Sequence, residues 1–332
     1  MNKFDNIKSM IGKTPMLEII FDYKGEERRI FAKAEYYNLS GSIKDRVAYY
    51  IMRRAYETGT IKPGDTVCEA TSGNTGIAFS AMSAYLGHPC VIYMPDWMSA
   101  ERIKLMQSFG AEVVLVSKEQ GGFLGSIAMS EERAAAGHAF LPGQFSNYDN
   151  VITHIQTTGA EALEQLHRLS CMPDGVVAGV GTGGTVMGLS KAFKSANPAC
   201  KAFPLEPLNS PTLSTGNKVG SHRIAGISDE FIPSICRLNE LDDIVSVDDI
   251  DSIIMAQKLS RELGIGVGIS SGANFIGSVM ALDKLGADKT VVTVFADDNK
   301  KYLSTDYSKE WEKKDEYISS HIEFKEVIAH KF

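Results

Sequence analysis

The segment Gly175-Val-Val-Ala-Gly-Val-Gly-Thr-Gly-Gly-Thr185 indicates the fold class, because a short apolar run passes through a glycine-rich turn into a helical pattern. Short strands that alternate with helices of about 10–15 residues are typical of parallel sheets joined by crossover helices. This alternation predicts strands at Thr66–Glu69, Cys90–Met94, Glu112–Val116, Gly175–Val180 and Thr290–Phe295. It predicts helices at Arg46–Thr58, Thr75–Leu86, Ala100–Phe109, Gly159–Leu169, Val186–Ala196 and Asp249–Leu263. We therefore expect an α/β protein.

Two segments depart from this alternation. Leu17–Ala34 holds two apolar runs around Tyr23-Lys-Gly-Glu26, which predicts an antiparallel hairpin. The tail from Glu310 is rich in charge and has scattered apolar residues, so we expect it to form a surface helix or arm.

Length and composition indicate a globular protein of two domains. The chain has 332 residues, against a usual domain size of about 150. Its 34 basic and 41 acidic side chains leave a net charge of −7, which argues against a general binder of nucleic acid or anionic membranes. No apolar run approaches the ~18 residues that a membrane span needs, and the opening residues show no apolar signal-peptide core. We expect a cytoplasmic protein with no membrane or nucleic-acid partner.

The cysteines indicate neither a disulfide framework nor a zinc site. They are widely spaced and form no CxxC motif or cysteine–histidine cluster. Their odd number predicts reduced thiols, most of them buried as small apolar side chains. The positions are Cys68, Cys90, Cys171, Cys200 and Cys236. We expect no metal.

A lysine stands at the start of a predicted helix in Ser42-Ile-Lys-Asp-Arg46, which follows Gly41. The positive end of the helix dipole disfavours a cation there and favours the neutral amine, which is the nucleophile that forms a Schiff base. A surface lysine is the alternative for Lys44.

Two strand-to-helix turns suit the binding of anions. Glu69-Ala-Thr-Ser-Gly-Asn-Thr-Gly76 offers backbone N–H groups, hydroxyls and an amide to a small carboxylate, with an ordinary N-cap turn as the alternative. Gly179-Val-Gly-Thr-Gly-Gly-Thr185 forms a phosphate nest in one interpretation. In the other, its glycines satisfy the dinucleotide pattern GxGxxG, with Glu206 further along the chain. The additional threonine and glycine residues fit a single terminal phosphate better than a pyrophosphate.

A hydroxyl pair completes the set of candidate groups. In Gly268-Ile-Ser-Ser-Gly-Ala273 the two serines precede another predicted helix, where they either cap it or face a ligand. An amine, a carboxylate turn, a phosphate turn and a hydroxyl are together what pyridoxal phosphate bound to a lysine requires.

Residues 8–305 resemble the cysteine synthase / cystathionine β-synthase family of pyridoxal-phosphate enzymes, which has the tryptophan-synthase-β-like fold (fold type II). The motifs that carry the resemblance are Gly12-Lys-Thr-Pro15, Gly41-Ser-Ile-Lys-Asp-Arg46, Thr71-Ser-Gly-Asn-Thr-Gly76, Met98-Ser-Ala-Glu-Arg102, Gln144-Phe-Ser-Asn147, Thr157-Thr-Gly159, Gly181-Thr-Gly-Gly-Thr185, Gly226-Ile227 with Phe231-Ile-Pro233, and Gly268-Ile-Ser-Ser-Gly272.

The resemblance implies a role for each matching residue. Lys44 should hold the cofactor and move the Cα proton, and Asn74 should hydrogen-bond the ring hydroxyl. Ser270 should contact the pyridine nitrogen of the cofactor. The cofactor phosphate should be bound by Gly181, Thr182, Gly183, Gly184 and Thr185, and the substrate carboxylate by Thr71, Ser72, Thr75 and Gln144.

The resemblance also implies the architecture. Two domains are expected, each with a mainly parallel twisted sheet flanked by helices. Residues 41–145 should form a smaller, mobile, substrate-binding domain, and residues 1–40 and 146–332 a larger cofactor-binding domain. The family is usually homodimeric, so we expect a homodimer. A neutral Ser270 need not protonate the ring nitrogen, which favours β-elimination and β-addition over transamination.

One departure from the family bears on the substrate. This chain has Gly226-Ile-Ser-Asp-Glu-Phe-Ile-Pro233 at the position where the synthases of the family it resembles have a pattern like Gly-Ile-Gly-Ala-Gly-Phe-Ile-Pro. The resemblance implies that this loop lines the substrate side of the active site. Asp229 or Glu230 therefore places a carboxylate near Cβ of the substrate, where it repels a sulfide anion and accepts a proton from water. We assign Asp229 as this catalytic and substrate-binding group. The expected reaction converts L-cysteine and water to L-serine and hydrogen sulfide through an aminoacrylate, as cysteine hydroxyl-lyases of this family do.

Other functions stay open on the sequence alone. If Asp229 faces solvent or caps a turn, the chain is expected to be an O-acetylserine sulfhydrylase, that is, a cysteine synthase. A serine/homocysteine β-synthase is a third candidate. From other classes, the GxGxxG pattern allows an NAD-dependent dehydrogenase, and a non-catalytic binding protein is the remaining alternative.

Overall fold

The chain divides into two compact units in the computed structural model, which describes residues 3–332. The smaller unit comprises residues 3–11 and Asn38–Asn150, and the larger unit comprises Gly12–Tyr37 and Val151–Phe332. The sequence-based division assigned residues 1–40 to the larger domain. Residues 3–11 lie instead with the smaller unit, because Phe4 and Ile7 pack into its core. Residues 38–40 and 146–150, also predicted for the larger domain, lie with the smaller unit as well. Mobility of the smaller domain stays a prediction.

The strands form one sheet in each unit. Their bounds are β1 Met16–Tyr23, β2 Glu26–Ala34, β3 Val67–Ala70, β4 Cys90–Pro95, β5 Glu112–Val116, β6 Gly175–Gly179, β7 Lys201–Pro207, β8 Val245–Val247, β9 Val291–Phe295 and β10 Ile322–His330. The smaller unit holds the parallel sheet β3-β4-β5. The larger unit holds the order β10-β1-β2-β9-β6-β7-β8, which is parallel from β2 to β8.

Helices connect these strands, as crossover connections between parallel strands require. Their bounds are α1 Lys3–Ile7, α2 Lys44–Thr58, α3 Asn74–Leu86, α4 Ala100–Ser108, α5 Gly122–Ala135, α6 Asp149–His154, α7 Ala160–Arg168, α8 Gly184–Ala196, α9 Thr212–Thr215, α10 Asp249–Leu263 and α11 Ile269–Leu285. A π-helical turn, Ile155–Gly159, joins α6 to α7. The predicted α/β class, with mainly parallel sheets flanked by helices, is confirmed. Helices α1, α5, α6 and α9 and strands β7 and β8 were not predicted from the sequence.

The predicted hairpin is confirmed as β1 and β2, which pair antiparallel. Lys24 and Gly25 form its turn with φ values of 56° and 83°. Two consecutive residues at positive φ are what a tight two-residue hairpin turn needs, because their twist matches that of the strands.

The prediction of a helix for the tail is wrong, because β10 pairs antiparallel with β1 at the edge of the larger sheet. The register shifts between Ile20 and Phe21, which is the mark of a β-bulge. On β10, Ile322, Phe324 and Val327 pack at the core. The bulge breaks the two-residue period of these apolar positions, so alternation did not reveal the strand. No helix within residues 3–332 is both long and apolar enough to cross a membrane.

Candidate active site

Lys44 is the first residue of α2, and it is half-buried. Asp45 orders the preceding turn, because its carboxylate accepts hydrogen bonds from the Ser40 hydroxyl at 2.6 Å and the Ser40 N–H at 2.8 Å. Ser42 Oγ accepts a hydrogen bond from the Lys44 N–H at 3.3 Å. These bonds fix the start of α2 and therefore the backbone from which the Lys44 amine extends.

The turn Thr71–Gly76 runs from β3 into α3, as the sequence predicts. It lies at the carboxyl end of a parallel strand, which is where open α/β sheets bind ligands. Thr71 and Thr75 are buried, and Ser72 and Asn74 are half-buried. Thr71 Oγ1 accepts a hydrogen bond from the Gly73 N–H at 3.1 Å.

Gln144 belongs to the same cluster although it is distant in sequence. The Thr75 hydroxyl donates to Gln144 Oε1 at 2.6 Å, and Gln144 Nε2 donates to Ala70 O at 2.8 Å. The smaller unit thus brings Gln144 to the turn that carries the other residues predicted to hold a substrate carboxylate.

Glu69, to which the sequence analysis gave no role, links the two segments. Its side chain is buried; Oε1 accepts from the Ala70 N–H at 2.9 Å and Oε2 from the Gln144 N–H at 3.2 Å. Burial raises the pKa of Glu69 to about 7, although the backbone hydrogen bonds act to lower it. A charged residue inside an otherwise apolar strand was the signal that could have identified it.

Arg102 is a second group of the smaller unit that the sequence analysis quoted without a role. It lies on α4 with only 8% of its surface exposed. A Cβ built on Gly73 would stand 3.1 Å from Arg102 Nε, so this side chain lies directly against the turn. A guanidinium beside the turn favours the binding of an anion there.

The glycine-rich turn of the larger unit leads from β6 into α8. At Gly181 a Cβ would stand 2.4 Å from Gly226 O, and at Gly183, where φ is 83°, it would stand 2.5 Å from Cys236 Cβ. Thr182 Oγ1 accepts a hydrogen bond from the Gly184 N–H at 3.3 Å. The N–H groups of the first helical turn have no partner within their own helix and therefore suit a phosphate.

Thr185 is supported by His154, which the sequence analysis missed. Thr185 Oγ1 lies 3.4 Å from His154 Nε2, and His154 Nδ1 lies 2.9 Å from Thr158 Oγ1. His154 is fully buried and ends α6 immediately before the π-helical turn. Such turns are frequent at functional sites. A single histidine within a helix gave no sequence signal for this contact.

Glu206 does not serve a dinucleotide. It is fully buried, and Oε2 accepts from the N–H groups of Leu213 at 2.8 Å and Ser214 at 3.1 Å. The Ser246 hydroxyl donates to Oε1 at 2.9 Å. A dinucleotide site needs this carboxylate for the ribose hydroxyls. Since Glu206 bonds to its own unit, the structure favours the phosphate nest.

Ser270 is the second residue of α11 and is buried. The same helix contacts the glycine-rich turn, because Asn274 Oδ1 accepts from the Gly179 N–H at 2.8 Å. Asn274 Nδ2 donates to Val294 O at 2.7 Å, which ties α11 to β9. The larger unit therefore places the start of α11 next to the strand that carries the glycine-rich turn.

The loop that carries Asp229 also packs against the glycine-rich turn. The Ser228 N–H donates to Val180 O at 2.7 Å. Asp229 is half-buried, whereas the neighbouring Glu230 places Oε1 3.6 Å from Lys218 Nζ in a surface ion pair. Lys218 is thus a cationic partner for Glu230, the second of the two candidate carboxylates.

The residues present fit pyridoxal phosphate. The larger unit offers N–H groups at the start of α8, the hydroxyls of Thr182 and Thr185, and a turn in which Gly181 and Gly183 leave no room for a Cβ. The smaller unit offers the amine of Lys44, a half-buried residue at a helix start. This donor set matches a phosphate and a carbonyl-reactive amine.

Comparisons with known proteins agree with this fit. The family model for pyridoxal-phosphate dependent enzymes matches residues 7–297. A cysteine synthase from Staphylococcus aureus is 38% identical over 301 residues, which cover 91% of this chain and 96% of that protein. A probable cysteine synthase from Bacillus subtilis is 37% identical over 302 residues, with the same coverage of 91% and 96%.

Solved structures are similar over nearly the whole chain. The crystal structure of a hydrogen sulfide-producing enzyme from Fusobacterium nucleatum has a TM-score of 0.95 and 58% identity, and the match covers 98% of both chains. A variant of that enzyme with an aspartate replaced by asparagine, in complex with an α-aminoacrylate intermediate, has a TM-score of 0.96 and 57% identity over 99% of both chains. An O-ureido-L-serine synthase has a TM-score of 0.85 and 31% identity over 93% of this chain and 96% of that one.

Proposed function

The chain belongs to the pyridoxal-phosphate-dependent enzyme family, and we propose that it converts L-cysteine and water to L-serine and hydrogen sulfide. Its reaction is a cysteine-related β-replacement. The substrate that we propose is L-cysteine, and the nucleophile is water. The observation that carries it is the carboxylate of Asp229, in a loop that packs on the glycine-rich turn. The synthase-like sequence pattern has small uncharged residues at this position. The similarity to a hydrogen sulfide-producing enzyme supports the same choice.

Bound pyridoxal phosphate supplies an electron sink through which an amino acid loses its Cα proton and its Cβ substituent. We assign the phosphate to the segment Gly181–Thr185, the pyridine nitrogen to the Ser270 hydroxyl and the ring hydroxyl to Asn74. The packing of α11 against the strand of the glycine-rich turn supports a shared role for the first two.

We assign the amine of Lys44 to cofactor binding and to movement of the Cα proton. The substrate carboxylate is assigned to Thr71, Ser72, Thr75 and Gln144. The bond from the Thr75 hydroxyl to Gln144 Oε1 leaves backbone N–H groups and the remaining hydroxyls of the turn to bind the anion. This arrangement orients Cβ of the substrate in one direction.

Asp229 acts at Cβ in this proposal. Its carboxylate accepts a proton from a water molecule as the water oxygen bonds to Cβ. Water gives up one proton when its oxygen bonds to Cβ, and the departing sulfur gains one proton to form hydrogen sulfide. The two protons cancel in the overall reaction, so no further reactant is needed. The negative charge of Asp229 also repels the hydrosulfide anion that a cysteine synthase must admit.

The test uses L-cysteine as the sole substrate and follows serine and sulfide together. Asp229→Asn should lower serine formation by about 10²–10⁴-fold, which is the usual contribution of a general base. The variant should still release one sulfide per active site, because sulfur departs before water adds. Glu230→Gln is the matched control, since that carboxylate pairs with Lys218, and it should keep wild-type turnover. A wild-type enzyme that forms neither product from cysteine contradicts the proposal.

O-acetylserine sulfhydrylase activity is the second candidate, because cysteine synthases are 37–38% identical to this chain. The discriminating measurement compares O-acetylserine plus sulfide with cysteine alone in the same preparation. Faster synthesis of cysteine would replace the first proposal by the second. Addition of homocysteine and serine tests the third β-replacement.

We also propose that the protein is a cytoplasmic homodimer. All five cysteines are free, which suits a reducing compartment. Light scattering coupled to gel filtration measures the oligomeric state.

A further inference from the structure

Ser228, directly before Asp229, has a strained backbone. Its φ is 53°, in the left-handed region that is sterically costly for a residue with a side chain. Such a conformation persists only where the surroundings hold it, and it is frequent at functional sites. In the synthase-like pattern this position resembles a glycine, which adopts positive φ without this cost. The serine in this chain therefore needs support that a glycine does not.

The side chain of Ser228 supplies part of that support. It is buried, and its Oγ donates to Ser210 O at 3.1 Å and lies 2.9 Å from Thr212 Oγ1. The Ser228 N–H donates to Val180 O at 2.7 Å, next to the glycine-rich turn. The residue is thus held on one side by the segment 210–212 and on the other by the end of β6.

His222 holds the carbonyl of the same residue. The Ile224 N–H donates to His222 Nδ1 at 3.2 Å, so Nδ1 carries the lone pair and Nε2 carries the proton. His222 Nε2 then donates to Ser228 O, also at 3.2 Å. Burial lowers the pKa of His222. The bond to Ser228 O and the charge of Asp249 act to raise it and Lys218 acts to lower it, but burial prevails and favours the neutral ring that the two bonds require.

We propose that Ser228, Thr212 and His222 act as positioning residues that fix the backbone of Asp229 and so aim its carboxylate at the water that adds to Cβ. This inference rests on the proposed function of Asp229. The Thr212 and Ser228 hydroxyls contact each other and His222 contacts the Ser228 carbonyl, so all three side chains hold the backbone that carries Asp229. Their effect therefore falls on the hydration step and not on the binding of cysteine.

The first test measures the steady state of the holoenzyme with L-cysteine. Ser228→Ala retains a Cβ that disfavours the left-handed backbone but loses the Oγ bonds that help to hold it. We therefore expect kcat for serine formation to fall about 10–100-fold, the equivalent of one or two buried hydrogen bonds. KM for cysteine should stay within about twofold, because the carboxylate turn is unchanged. The acid limb of the kcat–pH profile should shift, since it reports the group that accepts the proton.

Conservative replacement of His222 provides an independent arm. His222→Gln keeps an N–H donor for Ser228 O, whereas His222→Leu removes it. We expect the glutamine variant to retain at least about tenfold more activity than the leucine variant, which is the effect of one buried hydrogen bond. Glu57→Gln, which removes a surface ion pair with Arg53 in the smaller unit, is the control and should leave kcat unchanged. Circular dichroism and cofactor absorbance verify that each variant is folded.

A double-mutant cycle decides whether Ser228 acts through Asp229. Ser228→Ala should slow single-turnover serine formation in the wild type and have no further effect in Asp229→Asn. Additive losses, or wild-type kcat in both Ser228→Ala and His222→Leu, overturn this inference while the proposed function stands. Failure of the wild type to form serine, or a fully active Asp229→Asn variant, instead overturns the proposed function itself.

Discussion

Glu69 is a buried acid that bonds two segments of the candidate carboxylate site at once. Its two oxygens accept from the N–H groups of Ala70 and Gln144, and only 2% of its surface is exposed. Burial raises its pKa to about 7 from an ordinary value of 4.5. A raised pKa means that the folded state binds the proton more tightly than the unfolded state. This contribution to stability is complete below about pH 4.5 and is lost as the pH rises through about 7.

Glu69→Gln should therefore change the pH dependence of unfolding. The glutamine cannot ionise, so the variant does not lose stability as the wild type does when Glu69 becomes charged. The free energy of unfolding of the variant minus that of wild type should therefore rise by up to about 3 kcal/mol from pH 5 to pH 8. Urea unfolding followed by Trp97 fluorescence measures this, in a Trp311→Phe background so that only the smaller unit reports. Substrate affinity should fall at both pH values, because the NH2 group that replaces one carboxylate oxygen cannot accept the hydrogen bond which that oxygen accepts.

Glu57→Gln is the control for this prediction. Glu57 lies on the surface of α2 and pairs with Arg53, so its replacement should leave the pH dependence unaltered. A difference between wild type and Glu69→Gln that is the same at both pH values would show that the buried carboxyl does not titrate in this range.

Local sequence revealed the turns and helix starts of the candidate site but not the groups that support them. Lys44 and Thr75 were singled out because each stands near a glycine at the start of a predicted helix, and the family resemblance then implied their roles. Glu69 and His154 were missed, because the role of each depends on a partner in another segment, Gln144 for one and Thr185 for the other. The spacing of residues along the chain carries no information about such contacts.

At the scale of the element, the glycine-rich turn depends on the absence of a side chain at Gly183. A Cβ there would stand 2.5 Å from Cys236 Cβ, closer than two carbon atoms can pack. Gly183→Ala should lose about 1–2 kcal/mol of stability to the left-handed backbone alone. The clash should displace the turn and the N–H groups at the start of α8, and so weaken cofactor binding. Equilibrium dialysis against pyridoxal phosphate and the visible absorption of the protein measure that loss.

Gly25→Ala is a closely matched control, because Gly25 also has a φ of 83° but has no atom within 4 Å of a built Cβ. It should show the backbone cost without loss of cofactor. Equal affinity for pyridoxal phosphate in the two variants would mean that the turn does not form the phosphate site.

The edge strand β10 gives a second prediction for an element. Ile322 is 1% exposed in the core of the larger unit, whereas Ile328 on the same strand is 36% exposed. Ile322→Ala should cost about 2–5 kcal/mol, as is usual for a buried isoleucine. Ile328→Ala should change stability by less than about 0.5 kcal/mol. Urea unfolding followed by Trp311 fluorescence compares them, and equal losses would contradict the register of β10 on β1.

Elements were predictable where one period held from end to end. Asp249–Leu263 and Glu112–Val116 have the predicted bounds, because the helical pattern and the β-branched run are unbroken. The segment 322–330 failed the same test, since the bulge at Ile20 and Phe21 shifts its apolar positions by one residue. The strand β7 was missed although six of its residues are buried, because Pro204 and Pro207 within it argue against a strand.

At the scale of the whole molecule, each compact unit is built from separate stretches of the chain. The core of the smaller unit includes Phe4 and Ile7, which are distant in sequence from the helices they contact. The Phe4 ring lies 5.8 Å from that of Tyr49 and 5.4 Å from that of Tyr56, in edge-to-face geometry. Composition and motifs indicated two domains, but they could not assign the first residues to the smaller one, because that assignment depends on this packing.

Phe4→Ala should therefore destabilise the smaller unit by about 3–5 kcal/mol, the usual cost of removing a buried phenylalanine. Hydrogen exchange read by mass spectrometry should show lost protection in peptides from Asn38–Asn150 and wild-type protection in peptides from Val151–Phe332. Met10→Ala is the control within the same segment, because Met10 is 55% exposed, and it should leave both sets unchanged. Stability is lost first in the unit whose core is opened. Lost protection confined to the larger unit would therefore mean that the N-terminal segment packs on the larger unit, as the sequence-based division had assigned it.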